Sequence, residues 1–271
     1  MEQALSVFEK IGIRTVFKKG DSVFSQGDVS DRLYYIEKGR VEIFSVQEKG
    51  EKILAVLRSG ELLGEMSLFD SADRSASARA AEEIVLLELR REDFNRFMYQ
   101  NPGAAFEFTK HVVNTLSHRL RISNNYLISI YLFSLGILHV KEEDVLTGLL
   151  FDKISSSLSG VSRSFLYLWN RFNEEFELKK ASGDRIPDAG ITFGSFDPEI
   201  IREKLDAAGG LLSSVGEEKI LGFVYIEKKE EFKEEEKILV ETFLHLAAPV
   251  FHNLRWQEEE NNLKRLKTYR Q

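Results

Sequence analysis

From Ile13 to Arg90 the chain is a series of short alternating runs separated by single glycines, and that rhythm narrows what it can fold into. The runs RTVF (14–17), RLYYIE (32–37), RVEIFSV (40–46), KILAVL (52–57), SASARA (75–80) and IVLLEL (84–89) are too short to be helices with a buried face. Gly20, Gly27, Gly39, Gly50, Gly60 and Gly64 fall between them, where tight turns demand the positive φ that glycine tolerates. Many short strands at close spacing predict a small antiparallel barrel or sandwich.

At Asp93 the period changes. Phe94, Phe97 and Met98 open a helix and Pro102 interrupts it. Phe106, Val113, Leu116, Leu120, Leu127 and Ile130 then recur at heptad-like steps for about thirty residues. Such a helix runs ~45 Å at ~1.5 Å per residue, so it reaches past a small barrel and needs a partner. The charged patch KEED (141–144) marks a boundary, which predicts domains at 1–140 and 141–271. In the second domain the pattern predicts a helix (145–158), strands (164–170, 175–181), a loop with Pro187 and Gly190, and a helix (198–208). Two further strands (211–215, 219–226) and a long terminal helix from about Lys233, its part 243–266 able to carry a signal, complete it. Strands flanked by helices make the whole chain α+β.

Charge and composition exclude several function classes. The 271 residues carry 37 Lys and Arg against 44 Asp and Glu, a net −7, with about −1 on residues 1–140 and −6 on the rest. A protein that works by gripping nucleic-acid phosphates carries a basic excess instead. The absence of cysteine removes disulfides and thiolate chemistry and fits a cytoplasmic setting. The N-terminal residues lack a secretion-signal pattern. Residues 122–140 hold no Asp, Glu, Lys or Arg, yet Ser123, Asn124, Asn125 and Ser129 interrupt them, so a buried helix is expected and not a membrane span.

The stretch GELLGEMSLFDSADRSASARA (60–80) carries the chemistry. It reads as a strand, a Gly64 turn, one helical turn and a loop, then Arg74 entering a strand of small residues. The N–H groups of Glu65, Met66 and Ser67 at a helix start favour an anion there. Arg74 offers a planar fork suited to phosphate. Glu65 can accept from a hydroxyl such as a ribose 2′-OH. Ala76 and Ala78 leave room for a ligand ring.

This pattern resembles the phosphate-binding cassette of cyclic-nucleotide-binding domains, as in the catabolite activator protein family and the regulatory subunits of cAMP-dependent protein kinase. The likeness covers about residues 5–135, including the paired Gly-Asp turns (Gly20, Asp21 and Gly27, Asp28) and LYYIEKGRVEIF (33–44). It implies a double-stranded β-helix, or jelly roll, followed by a long helix. It also implies a cyclic nucleotide as ligand, cAMP or cGMP with cAMP favoured, its ribose on Glu65 and its phosphate on Arg74. Gly64, Met66 and Ser67 would frame the phosphate, and Ser75, Ser123 and Asn124 would approach the base. For Ser123 and Asn124 a register-setting place in a dimer seam is an equal expectation. The resemblance further implies a homodimer through helix 104–138.

The segments LLFDKISSSLSGVSRSFLYLWNRFNEEFELKKASG (149–183) and ILGFVYIEKKEEFKEEEKILVETFLHLAAPVFHNL (220–254) resemble a GAF domain, which implies an α/β responder that joins the dimer. The short segment 184–210 predicts no deep pocket. A competing reading starts from the run Gly160, Val161, Ser162, Arg163, which resembles the helix-turn-helix entry of activator-type transcription regulators. The following Phe165, Leu166, Tyr167, Leu168 and Trp169 suit a buried strand better than a recognition helix, so DNA is not an expected partner. No nucleophile elbow, P-loop or HExxH occurs, so catalytic residues and enzyme activity are not expected. Among the five histidines, His245 and His252 lie seven apart, and a packing or surface role is expected for them, not a metal site. The expected function is thus a non-enzymatic cytoplasmic sensor. The alternatives are a transcription regulator of the activator type, the sensory part of a larger signalling enzyme, and a ligand-free assembly protein built on the GAF half.

Overall fold

The structure is a computed structural model and describes residues 2–47, 50–68, 72–188, 190–206, 209–216 and 219–268. It divides into two compact units, residues 1–122 and 123–271, with the division inside a helix and not at the expected 140/141 boundary. The helix residues Phe133 and Ile137 pack into the core of the second unit, which is why the division comes early.

In the first unit, helix α1 (Glu2–Ile11) precedes strands β1 (Ile13–Phe17), β2 (Ser22–Phe24), β3 (Arg32–Lys38), β4 (Arg40–Gln47), β5 (Gly50–Arg58), β6 (Leu62–Leu63), β7 (Ser77–Ala80) and β8 (Ile84–Arg90). Two four-stranded antiparallel sheets form in the orders β1-β8-β3-β6 and β2-β7-β4-β5, a sandwich as the alternation predicts and the jelly roll that the resemblance implies. All six turn glycines have positive φ. The first sheet is buried on both faces, and its sequence shows why. On β3 and β8, Tyr34, Ile36, Ile84 and Leu86 enter the core that also holds Val41, Leu57 and Ala78 of the second sheet. Leu33, Tyr35, Leu87 and Leu89 point the other way, onto Phe8 of α1 and Phe94 of α2 (Arg91–Gln100). Successive side chains of a strand alternate faces, so an unbroken apolar run such as LYYI serves two cores.

The expected strand at 75–80 begins only at Ser77, because Ser75 and Ala76 form the bend that brings Arg74 inward. Helix α3 (Pro102–Ile137) has a core-facing stripe, Phe108 and Val112 with Leu116 behind them. It has a second stripe, Phe106, Val113, Leu120 and Leu127, that is 52–67% exposed.

The second unit contains the end of α3, α4 (Glu143–Ser157), β9 (Val161–Asn170), β10 (Glu175–Gly183), α5 (Pro198–Lys204), β11 (Leu211–Val215), β12 (Gly222–Lys228) and α6 (Glu234–Thr268). Its sheet is antiparallel throughout, in the order β10-β9-β12-β11. The run after Gly160 is the inner strand β9 and not a helix, as its aromatic alternation predicts. Leu166, Leu168, Val224 and Ile226 face α4 and α6; Phe165, Tyr167, Phe223 and Tyr225 face Ile201 of α5 and Phe193. One sheet face is therefore aliphatic and the other aromatic. Helix α5 stops at Lys204, short of the expected 208, because Asp206 adopts φ +49° and a left-handed residue ends a helix; residues 207 and 208 lie outside the described residues. No helix among the described residues is long and apolar enough to cross a membrane.

The aromatic layer is a test of this packing. Phe223 is fully buried, with its ring 4.8 Å from that of Tyr167 and 5.5 Å from those of Phe176 and Phe193. Phe223→Ala is expected to lower unfolding free energy by ~3–5 kcal/mol in denaturant titration of the full chain. A loss under ~1 kcal/mol would show that this layer is loosely packed.

Candidate functional site

The site is assembled from the segment after β2, the turn after β6, and Arg74. Gly64 turns the chain at φ +74°, and the 3-10 turn Glu65–Leu68 follows at once. Residues 69–71 and the side chain of Ser67 lie outside the described residues. The main chain of Arg74 is clamped by the Gly27–Asp28 turn: the Gly27 N–H donates to the Arg74 carbonyl and the Arg74 N–H donates to the Asp28 carbonyl, each at 2.9 Å. Asp28 closes its own turn by accepting from the Ser25 N–H at 2.7 Å. The second Gly-Asp pair of the sequence is therefore the anchor of Arg74.

Arg74 is only 7% exposed. Its Nη2 donates to the Arg32 carbonyl at 2.5 Å. Its Nη1 lies so close to Gly64 that a Cβ there would run into the guanidinium. Its Nε is buried with no hydrogen-bond partner. Among the described residues no carboxylate ion-pairs with it. Burial pulls its pKa below the ordinary guanidinium value, and Tyr34, Asp31, Asp28 and Glu65 oppose that only through space. An arginine stays charged in a protein, so this is a buried cation with an open Nε donor and, among the described residues, no ion-paired carboxylate. An anion would supply both.

Glu65 is 6% exposed and does have a cation. Arg119 of α3 donates from Nη1 to Glu65 Oε1 at 2.9 Å and from Nη2 to the Leu62 carbonyl at 3.4 Å, with Glu61 3.8 Å away. A buried carboxylate and a buried guanidinium thus flank one glycine turn, an arrangement suited to a ligand with both a hydroxyl donor and a negative charge.

Of the residues expected at the site, Gly64, Glu65 and Arg74 come together. Met66 is 59% exposed and Ser75 is exposed at the mouth of the bend. Ala78 is fully buried in the core and Ala76 half-buried. Ser123 and Asn124 are exposed on α3 and belong to the second unit. Sequence reasoning missed Arg119, though a signal was present. Phe108, Val112, Leu116 and Arg119 follow each other at helical spacing, so a charged residue continues a core-facing stripe and must meet a buried acid.

The second unit offers less. Its groove of about 320 Å³ beside Arg202, Ser213 and His245 is open, and Arg202 already donates to the Gly209 and Gly210 carbonyls. Tyr167 is buried among rings, its hydroxyl without a partner and its pKa pushed up by burial to about 12. No group of three or more His, Asp or Glu among the described residues could hold a metal ion.

Residues 14–101 match the family described as the cyclic nucleotide-binding domain. Over 122 residues, 45% of this chain and 53% of the other, the sequence is 39% identical to the cyclic AMP receptor protein of Thermus thermophilus. Over 112 residues, 41% and 48% respectively, it is 31% identical to the CRP-like cAMP-activated global transcriptional regulator of Mycobacterium tuberculosis. The crystal structure of Thermus thermophilus catabolite activator protein aligns with 29% identity over 59% of this chain and 71% of that one, at a TM-score of 0.42. The chain spans about half the length of the curated relatives it matches.

The Gly64 turn yields a stability test that needs no ligand. Gly64→Ala places a side chain at positive φ and against Arg74, and is expected to lower unfolding free energy by ~1–3 kcal/mol. A change below ~0.5 kcal/mol would show that the guanidinium is free to move aside.

Proposed function

From the premise that residues 14–101 are a cyclic nucleotide-binding domain, we propose that this chain is a non-enzymatic cytoplasmic sensor of a cyclic nucleotide, cAMP in the first place. It passes occupancy along α3 to a second domain of the GAF type. The observation that carries the reading is Arg74, a buried cation with an unpartnered Nε and no ion-paired carboxylate among the described residues, next to the buried acid Glu65. A cyclic nucleotide offers each a partner: a phosphate charge for Arg74, and a ribose 2′-OH that donates to Glu65 beside its bond to Arg119.

The coupling follows from Arg119. Glu65 is held by a residue of α3, so a ribose hydroxyl that binds Glu65 changes the hydrogen bonding of the helix itself. A ligand shifts a conformational equilibrium only by its differential affinity for the two states, and a contact shared between ligand and helix provides that difference. Support for the GAF reading is the order helix, two strands, helix, two strands, helix around one antiparallel sheet. Support for a homodimer is the exposed stripe Phe106, Val113, Leu120 and Leu127, spaced by seven. With those residues at d, Lys110, Ser117, Asn124 and Tyr131 take the a positions, and Asn124 becomes the buried polar residue that fixes register in a parallel pair.

Three measurements test this. Calorimetric titration with cAMP should give saturable binding, and Arg74→Ala should weaken it by ~1.5–3 kcal/mol, the scale of a charged hydrogen bond; unchanged affinity would remove Arg74 from the phosphate. In a thermal-shift screen, cAMP should raise the midpoint more than AMP, with cGMP as the discriminating third ligand. No shift with any of the three would favour the assembly reading. For the dimer, sedimentation equilibrium should show a dimer that Leu120→Glu combined with Leu127→Glu converts to monomer; a monomeric parent would refute the seam.

A further inference from the structure

The clamp on Arg74 has a second part that comes from the same segment as the first. Strand β2 ends at Phe24, three residues before the turn that holds the Arg74 main chain. The Phe24 ring lies under the Arg74 guanidinium, its centroid 4.2 Å from Cζ; Tyr34 of β3 lies 5.9 Å from the same atom, and the two rings are stacked at 6.0 Å. Phe24 pairs with Ala78 of β7, the smallest apolar side chain, which leaves the ring room to reach the guanidinium.

We propose that Phe24 is a positioning residue for the anion site: its ring stands in for the counter-ion of Arg74 and holds the guanidinium plane without consuming a donor. This rests on the reading of Arg74 as the group that receives the phosphate. The physical reason lies in the geometry of the fork. All guanidinium N–H bonds lie in the plane of the group, whereas an aromatic face attracts the cation from above that plane. A carboxylate in the same place would also offset the cost of burial, but it would occupy the in-plane donors and compete with an incoming anion. In the structure Arg74 Cζ lies over the Phe24 ring, Nη2 donates to a main-chain carbonyl, and Nε stays unmatched. A leucine would fill similar apolar space, but it has no quadrupole to hold a cation and no flat face to keep the fork in plane. A purely structural role for Phe24 would need apolar volume alone. The half-buried ring at the margin of the sandwich core, stacked face-on to a charge, indicates more than that.

The test is calorimetry with cAMP on the full chain and on Phe24→Leu, Phe24→Tyr, and Phe24→Leu combined with Arg74→Ala, each with its thermal midpoint. Phe24→Leu is expected to weaken cAMP by ~5- to 10-fold, the scale of a desolvated cation–π contact, and Phe24→Tyr to restore affinity to within ~2-fold. In the Arg74→Ala background Phe24→Leu should add less than ~2-fold, because the residue acts through Arg74. If cAMP binds the parent and Phe24→Leu alike, the positioning role is overturned and the phosphate assignment stands. The same holds if tyrosine fails to rescue, or if leucine lowers affinity as much without Arg74 as with it. If the parent binds no cAMP, the ligand reading is overturned and the role of Phe24 with it.

Discussion

A guanidinium removed from water costs several kcal/mol, and Arg74 is held in such a place with no ion-paired carboxylate among the described residues. The Gly27–Asp28 turn fixes its main chain, the Arg32 carbonyl takes one donor, Phe24 covers its face, and Gly64 has no Cβ because the guanidinium fills that space. Together they hold a cation whose Nε meets no hydrogen-bond partner among the described residues. The account of function follows from that imbalance, since a protein that gains nothing from the charge would replace it with an apolar side chain.

Glu65 differs in being matched. Its partner Arg119 sits on α3, so the two charged groups have unequal reach: Arg74 is bonded to the main chain of a strand, while Glu65 is bonded to the helix. A nucleotide that uses both groups therefore links the barrel to α3. That helix also carries two stripes with different fates. Phe108, Val112 and Leu116 cover the first sheet, whereas Phe106, Val113, Leu120 and Leu127 face solvent.

Much of the fold was legible because alternation is a local property. The six runs between glycines became β1, β3, β4, β5, β7 and β8 with ends shifted by a few residues. Strands β2 and β6, of three and two residues, are shorter than any period and left no signal, and α1 was not foreseen because its apolar contacts are made with a sheet distant in sequence. At the site, Gly64, Glu65 and Arg74 could be read from one cassette. Arg119 and Phe24 could not, since they lie 54 and 50 residues from their partners and only the fold brings them together. The second unit shows the same division: the alternation of helical and strand periods predicts its element order, but which face of β9 and β12 is aromatic emerges only with the antiparallel pairing of the two strands.

The central claim, that the buried cation exists to receive the phosphate of a cyclic nucleotide, is tested most directly by a crystal structure of the chain grown with cAMP. The account predicts a phosphate oxygen within hydrogen-bond distance of Arg74, the ribose 2′-OH on Glu65, and the guanidinium still stacked on Phe24. A nucleotide bound elsewhere, or a phosphate held without Arg74, would contradict it.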